Sequence, residues 1–213
     1  MRIVKDAAER KNEILDAAEE LFAARGYEAT STGEILDRVG IARGTLYYHF
    51  RSKEEILDAL TDRIGRNLIA RAKQAAADKS VPVVERIVRT VAGLNLETEA
   101  SSIGREVLEQ VHKPQNALMH QKMQQSLMDG VVPVLSGLVE EGNAQGIFHA
   151  AYPRETTEML VLYASIAFDS RFGLTPEQTM RKAQAFIHNT EKLLGAESGS
   201  LSAPMTRLFE RAF

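Results

Sequence analysis

Apolar residues recur at intervals of three and four along most of the chain, which is the spacing of one buried face of an α-helix. Alternation of apolar and polar residues between turn signals, which is typical of strands, does not occur. The first stripe predicts a helix from near Asp6 to Arg25 and comprises Ile14, Ala18, Leu21 and Phe22. Gly26 follows it as a stop signal. We therefore expect an all-α protein of about nine helices.

Two short helices separated by a tight turn are predicted next. Residues 30–32 carry three hydroxyls that can cap a helix N-terminus, and Gly40 ends the stripe of Ile35, Leu36 and Val39. A second short helix follows over residues 41–50. This order is typical of a helix-turn-helix, whose second helix lies in the major groove of DNA.

The second short helix has a core face and an outward face, because its residues turn by roughly 100° each. The core pair is Leu46 and Phe50, and the outward set is Gly44, Thr45 and Tyr48. The outward set lets a backbone approach a groove closely and offers hydrogen bonds to phosphates or base edges. Taken alone, the aromatic run in this helix fits ordinary core packing equally well. The preceding helix and turn favour the DNA-binding interpretation.

Positive charge is concentrated in the same region. The segment from Arg38 to Lys53 has basic residues at positions 38, 43, 51 and 53 and no acidic residue, whereas the whole chain has a formal net charge of −3. A local basic patch favours a compact nucleic-acid contact, and the overall charge disfavours nonspecific wrapping of nucleic acid. The basic residues up to Lys11 form either a phosphate-contacting arm or a solvated end.

A longer helix follows, and its length predicts a connection between an N-terminal module and a larger body. Ser52 and Glu55 have the spacing of a capping box. The apolar stripe comprises Ile56, Leu57, Leu60, Ile64 and Leu68. The pattern pauses near residues 77–80 and restarts at Pro82.

The body shows further amphipathic stripes. One comprises Val84, Ile87, Val88, Val91 and Leu94. A shorter helix is predicted from about Ser101 to His112, and a long helix from Gln115 carries Met119, Met123, Leu127, Val131, Leu135 and Leu138. Pro133 is expected to kink the long helix, and Gly142 and Gly146 to end it.

Two C-terminal helices, at about 154–172 and 176–194, are candidates for a homodimer interface. Residues 159–168 are apolar almost all round, so they must be buried on several sides, which a single chain manages only partly. Residues 196–213 are expected to be a flexible linker followed by a short amphipathic segment that docks or frays.

Composition excludes several classes of protein. The 213 residues are 44% hydrophobic, as in globular proteins, and their lack of cysteine excludes disulfides, thiolate metal sites and cysteine nucleophiles. No run of about 18 apolar residues and no secretory signal occur, so we expect a cytoplasmic protein without a membrane segment. Phosphate-binding loops, zinc-protease motifs and serine-nucleophile turns are also absent. We therefore expect no enzyme and no cofactor, with an enzyme as the weaker alternative.

Three segments of the N-terminal third keep the spacing of a known family. They are residues 14–22, residues 26–31 and residues 40–53, the last of which reads Gly-Ile-Ala-Arg-Gly-Thr-Leu-Tyr-Tyr-His-Phe-Arg-Ser-Lys. In these segments the chain resembles the tetracycline-repressor (TetR) family of bacterial transcription regulators. The resemblance implies a DNA-binding domain at 8–68, with a helix-turn-helix at about 31–50, and an effector-binding, dimerising domain at 69–195.

The resemblance also implies roles for individual residues. Phosphates of double-stranded operator DNA would be held by Thr32, Tyr48, His49 and Lys53. Bases or neighbouring phosphates would be approached by Arg43, Gly44, Thr45 and Tyr47. Two residues depart from the family pattern, since Leu36 stands where alanine is usual and Gly33 where a larger residue is usual. Leu36 is expected to change the packing angle between the two short helices, and with it the fit to the groove.

The resemblance makes the leading hypothesis a homodimeric repressor that releases a palindromic operator when a small molecule binds. A largely apolar effector is expected in a cavity near Pro133 lined by Leu94, Met119, Met123 and Tyr163, although methionines at this spacing also fit plain core. A metal site is not expected, because Pro114 separates His112 from His120 on the helix pattern. The alternative is a helical interaction or ligand-binding module without DNA binding, supported only by Gly33 and Leu36.

Overall fold

The structure, a computed structural model, describes residues 6–94, 110, 113, 116–168 and 173–206. Throughout these ranges its regular elements are helical, so the predicted all-α fold is confirmed. The helices are α1 (Ala7–Arg25), α2 (Thr32–Val39), α3 (Arg43–His49), α4 (Lys53–Ala77), α5 (Val83–Ala92), α6 (Ala117–Ala144), α7 (Pro153–Ala167) and α8 (Pro176–Leu194). Of the helix predicted from about Ser101 to His112, the described residues include Gln110 alone.

Helix α1 buries the face that its apolar spacing predicts. Ile14, Ala18 and Phe22 are buried, while Leu21 stays partly accessible. The helix ends at Gly26, whose backbone φ of 84° lies in the region that favours glycine and whose N–H donates to the Phe22 carbonyl at 2.9 Å.

Helix α2 is short, with a side-chain cap at its N-terminus and a glycine turn at its C-terminus. Ser31 and Glu34 form a reciprocal capping box, in which the Ser31 N–H donates to the Glu34 carboxylate at 2.8 Å and the Glu34 N–H donates to the Ser31 hydroxyl at 3.2 Å. Gly40 ends the helix in the left-handed conformation, with φ 71° and ψ 40°. The chain therefore turns within three residues into α3.

Helix α4 is tied to α1 by ion pairs. Arg63 donates to Asp16 at 2.6 Å and also contacts Glu19. At the start of α4, the Ser52 hydroxyl accepts from the Glu55 N–H at 3.2 Å, but the Glu55 carboxylate reaches the Arg51 N–H instead of closing the predicted box on Ser52. The N-terminus is capped nonetheless, because both side chains still satisfy free N–H groups.

The chain divides into two compact units, and the division falls inside two helices. One unit comprises the described residues of 1–64 and 99–121, and the other comprises the described residues of 65–98 and 122–213. Helices α4 and α6 therefore each contribute to both units. None of the described helices is long and apolar enough to cross a membrane.

Two sequence-based predictions in the second unit were wrong, namely that Gly142 ends α6 and that Leu94 belongs to α5. Gly142 lies inside α6 and does not end it, because helical hydrogen bonding continues to Ala144 before Gly146, at φ 72°, turns the chain. A side chain at position 142 would overlap the buried ring of Phe148, so this glycine serves packing. Leu94 follows α5 and is not part of that helix.

The segment after α8 docks on the body, which is one of the two outcomes that the sequence left open, and its first residues are not the flexible linker that composition predicted. The Ala196 N–H donates to the Glu191 carbonyl at 2.9 Å, and a helical segment starts at residue 202. Leu201 and Met205 are buried in a core cluster with Phe148 and Ile187. Burial of these two apolar side chains and the backbone bonds to α8 outweigh the local flexibility of a Gly- and Ser-rich sequence.

Candidate nucleic-acid interface and apolar cavity

Helix α3 separates its residues into buried and exposed faces as its spacing predicts. Leu46 and Phe50 are buried, whereas Tyr48 is 80% exposed and Gly44 is also exposed. Thr45 is half-buried beside them. Since the phenol of Tyr48 is not needed for the core, the exposed face of α3 is available for another molecule.

The flanks of α3 carry aromatic rings and one cation. The guanidinium of Arg43 lies 5.5 Å from the ring centre of Tyr47, and the rings of Tyr48 and His49 meet edge to face at 5.0 Å. Thr32, the first residue of α2, is half-buried. The surface formed by Thr32, Arg43, Gly44, Thr45, Tyr47, Tyr48 and His49 is called the α3 surface below.

The positive charge of this region is distributed differently from the prediction. Arg38 is paired with Glu20 of α1, its Nε lying 3.0 Å from the carboxylate. Over the ranges that the structure describes, the side chains of Arg43 and Arg51 form no ion pair and are exposed. Lys11 of α1 lies 5.5 Å from the ring centre of Phe50, next to the end of α3. Arg51 was not among the predicted site residues although it lies in the basic run, and Lys11 belongs to the N-terminal basic stretch for which a phosphate-contacting arm was one of two expectations.

Lys53, which the resemblance assigns to a phosphate, has partners within the protein. Its ammonium donates to the carbonyls of Tyr27 at 2.8 Å and Thr30 at 3.0 Å, and lies 4.2 Å from the centre of the Tyr27 ring. Burial, together with Glu54 and Glu28, raises the pKa of the Tyr27 phenol, which stays neutral and donates to Glu54. Lys53 therefore joins the start of α4 to the loop between α1 and α2.

The two departures from the family pattern have different surroundings. Gly33 is exposed, and a side chain there would meet only the Ser31 hydroxyl, at an ordinary contact distance of 3.6 Å. Leu36 is partly buried, and its carbonyl accepts from the N–H groups of Gly40 at 2.8 Å and Ile41 at 3.2 Å. Neither residue disturbs the turn between α2 and α3.

The second unit contains an apolar cavity of about 330 Å³. Helices α5, α6, α7 and α8 and the segment after α8 all contribute to its wall. The lining residues are Val84, Ile87, Val88, Val91, Leu94, Leu127, Leu135, Val139, Thr157, Leu160, Val161, Ala164, Ser165, Phe168, Phe186, Thr190, Leu194, Leu201 and Met205. The cavity lies at the small end of the roughly 300–1,000 Å³ range of ligand sites.

The polar groups in the cavity wall are three hydroxyls that already donate to their own helices. Thr157 donates to the Pro153 carbonyl at 2.7 Å and Thr190 to the Phe186 carbonyl at 2.8 Å. Ser165 donates to the Leu162 carbonyl at 2.9 Å. Among the described residues, none in this wall is charged. A ligand here would therefore be neutral and could donate, but not easily accept, a hydrogen bond.

Only one of the four predicted cavity residues lies in the cavity wall. Leu94 does, whereas Met119 is buried in the first unit, where Thr61 donates to its sulfur at 3.6 Å. Met123 is partly buried on α6 outside the wall. Tyr163 is also outside it and stacks on the ring of Phe186 at 5.8 Å. Packing between helices decides which residues of α6 and α7 face the cavity, and the apolar spacing in the sequence did not show this.

Helix α7 leaves an apolar face uncovered. Met159, Leu162, Tyr163 and Ile166 are between 44% and 60% exposed. Leu193 of α8 is also exposed.

Residues 169–172, at the end of the first predicted interface helix, lie outside the described residues, as does His112. Within the described ranges, no group of three metal-ligating side chains comes together.

Comparison with known protein families matches an N-terminal and a C-terminal part of the chain to the same family of regulators. The family profile described as "Bacterial regulatory proteins, tetR family" matches residues 14–60, which include α2 and α3. The profile described as "Tetracyclin repressor-like, C-terminal domain" matches residues 99–188.

Similar proteins include both an activator and a repressor of transcription. The chain is 43% identical to the transcriptional activator FasR of Mycolicibacterium smegmatis over 67 residues, which are 32% of this chain and 31% of FasR. It is 44% identical to the transcriptional repressor KstR2 of Mycobacterium tuberculosis over 59 residues, 28% of this chain and 30% of KstR2. The match thus spans less than a third of these relatives' length. The crystal structure of RolR in complex with resorcinol shares the fold, with a TM-score of 0.63 at 16% identity over 96% of this chain and 95% of RolR.

Proposed function

Because this chain belongs to the TetR family of bacterial transcription regulators, we propose that it binds double-stranded operator DNA through the α3 surface as a homodimeric, ligand-responsive repressor. The family is one of regulators and not of enzymes, in agreement with the sequence-based expectation. The observation that carries the proposal is the division of α3, which buries Leu46 and Phe50 and leaves Tyr48 and Gly44 to solvent.

Contacts to DNA follow from the chemistry of the exposed groups. Gly44 lets the backbone approach the groove, and Thr45 can reach a base edge. The Tyr48 hydroxyl and Arg43 donate to phosphates, and Thr32, Tyr47 and His49 contribute at the edge of the surface. Arg51 and Lys11 add cations beside α3, whereas Lys53 serves the structure of the domain and is left out of the contact set.

The dimer places α7 and α8 of two copies together. The exposed side chains of α7 would otherwise keep a stripe of apolar surface in water, which is unfavourable in proportion to its area. A homodimer also presents two α3 surfaces, and such dimers read two half-sites about one helical turn, or a multiple of one, apart on a palindromic site.

The effector binds in the apolar cavity of the second unit. The lining favours a small, neutral and largely apolar compound, because no charged side chain in the described wall would stabilise an ion. Binding there shifts the regulator between states with different affinity for DNA. Release of DNA on binding the effector is the direction expected of a repressor.

The test combines DNA selection with gene expression. The purified dimer is incubated at low salt with a random double-stranded library, and a palindromic site should be enriched whose affinity falls steeply as salt is raised. Deletion of the gene should raise transcription from promoters that carry this site, whereas lower transcription would identify an activator. Failure to enrich any sequence would leave a ligand-binding module without DNA binding and overturn the proposal.

A further inference from the structure

The segment after α8 forms part of the cavity wall, and this contribution does not come from a long helix. Leu201 and Met205 line the cavity and are buried. Both lie beyond residue 188, where the match to the family's C-terminal domain ends. This part of the wall therefore belongs to a region in which the chain is not described by the family pattern.

One buried carboxylate holds this segment in place. Glu191 of α8 is only 3% exposed, and its two oxygens accept from the backbone N–H groups of Gly199 and Leu201, each at 2.9 Å. The Ser202 hydroxyl lies at 3.4 Å from the same carboxylate. Gly199 has a φ of 87°, so the chain turns here in a conformation that favours glycine. The turn directs Leu201 back toward the body.

The backbone donors that compensate the buried charge of Glu191 also position the segment after α8. A carboxylate out of contact with water is costly unless several donors face it, and here backbone N–H groups supply them. Those donors belong to Gly199, two residues before Leu201, and to Leu201 itself. The same bonds that compensate the buried charge therefore position the two apolar side chains against the cavity.

We propose that Leu201 and Met205 set the maximum size of the effector, and that Glu191 is the positioning residue that holds them against the cavity. The inference rests on the proposed effector site and adds which residues select among apolar ligands. At about 330 Å³ the cavity is roughly twice the ~150 Å³ of an engineered apolar cavity that binds benzene. A compact ring with a short apolar substituent is the class of ligand that fits.

The size rule is tested with a homologous series from benzene to n-butylbenzene, titrated calorimetrically into the full-length native protein and three variants. Met205→Ala and Leu201→Ala should each move the tightest-binding member to a longer chain. Each additional methylene group that the enlarged cavity buries should increase affinity about four-fold. Ile187→Ala is the matched control, since Ile187 belongs to the same core cluster but does not line the cavity. It should lower the melting temperature without moving the preference.

The outcomes separate the size rule from the effector site itself. If the native protein binds members of the series, but neither Met205→Ala nor Leu201→Ala changes which member binds most tightly, the role of these two residues in ligand size is overturned and the effector site stands. The rule is also overturned if Ile187→Ala changes the preference as much. If neither native protein nor variants bind any member, the apolar effector site fails, and the size rule with it.

A second measurement tests the role of Glu191. In Glu191→Gln one of the two carboxylate oxygens is replaced by an amide that cannot accept from an N–H group. Hydrogen exchange should accelerate by about ten-fold or more at whichever of the Gly199 and Leu201 amides loses its acceptor oxygen, while exchange in the middle of α8 should be unchanged. The preference within the series should become less sharp. Unchanged exchange at these two amides would show that Glu191 does not hold the segment.

Discussion

The ammonium of Lys53 lies over the ring of Tyr27, 4.2 Å from its centre, and donates to the Tyr27 carbonyl at 2.8 Å. The contact joins the first residue of α4 to the loop that leads into α2. A lysine that the family pattern assigns to phosphate thus has a structural task in this chain. The two roles predict different consequences for the same substitution.

Lys53→Ala should destabilise the DNA-binding unit by about 1–3 kcal/mol, because charge-assisted hydrogen bonds to two loop carbonyls are lost. Thermal unfolding followed by circular dichroism measures the change. Below the melting temperature, DNA affinity should fall less than it does for Tyr48→Ala. A Lys53→Ala protein of native stability that no longer binds DNA would instead assign Lys53 to phosphate.

Thr45→Ala should change which sequence is preferred, since Thr45 is placed to reach a base edge. The discrimination at one base pair should fall by about 1 kcal/mol, measured by binding to operator variants. Tyr48→Ala is the control, because loss of a phosphate contact weakens binding to all sequences to a similar extent. Equal effects of both substitutions on every operator would contradict these assignments.

Arg86 closes the C-terminal end of α4 from the neighbouring helix α5. Its Nε donates to the Ala76 carbonyl at 2.7 Å, and its Nη1 donates to Glu141 at 2.6 Å. Arg86→Met keeps most of the volume but leaves the carbonyl without this donor, so stability should fall by about 1–3 kcal/mol in urea unfolding. Arg89→Met removes an exposed pair with Glu85 and should cost less than about 1 kcal/mol.

Leu162→Arg should convert the dimer to a monomer, because a charge in an apolar interface is desolvated without a partner. Sedimentation velocity measures the change in mass. Leu118→Arg is the control, since Leu118 is an exposed leucine outside α7 and α8. DNA affinity should fall with dimerisation for the first variant only. A Leu162→Arg protein that remains a dimer would place the interface elsewhere.

The buried Glu191 should make stability depend on acid pH. Burial acts to raise the pKa of its carboxyl, but the N–H groups of Gly199 and Leu201, with the Ser202 hydroxyl and the nearby charge of His188, hold the pKa below its ordinary 4.5. Its stabilisation is therefore fully present above that ordinary value and is lost as the pH falls through the lowered pKa of the folded state. The native protein should lose more stability than Glu191→Gln over this acid range. Parallel stability curves for the two proteins would argue against this linkage.

The sequence by itself determined the helices and the face that α3 turns to its core. Turn-forming glycines and a periodic apolar stripe act over a few residues, so Gly26, Gly40 and the pair Leu46 and Phe50 were readable without a fold. The all-α class and the family followed from the same local signals. Assignment of the α3 surface to DNA remains a prediction, for which the structure supplies the exposed face.

Only the tertiary structure decided which partners long side chains and long helices take. Lys53 and Arg38 are recognisable in the sequence as basic residues, but their partners, the Tyr27 carbonyl and Glu20, are brought to them by packing between helices. An amphipathic stripe likewise shows that a helix face is buried but not what covers it. Met119, which was predicted to line the cavity, therefore lies in the first unit, and Leu201 lines the cavity without having been predicted to do so. The buried Glu191 follows the same rule, because its compensation comes from backbone donors that only the folded chain places around it.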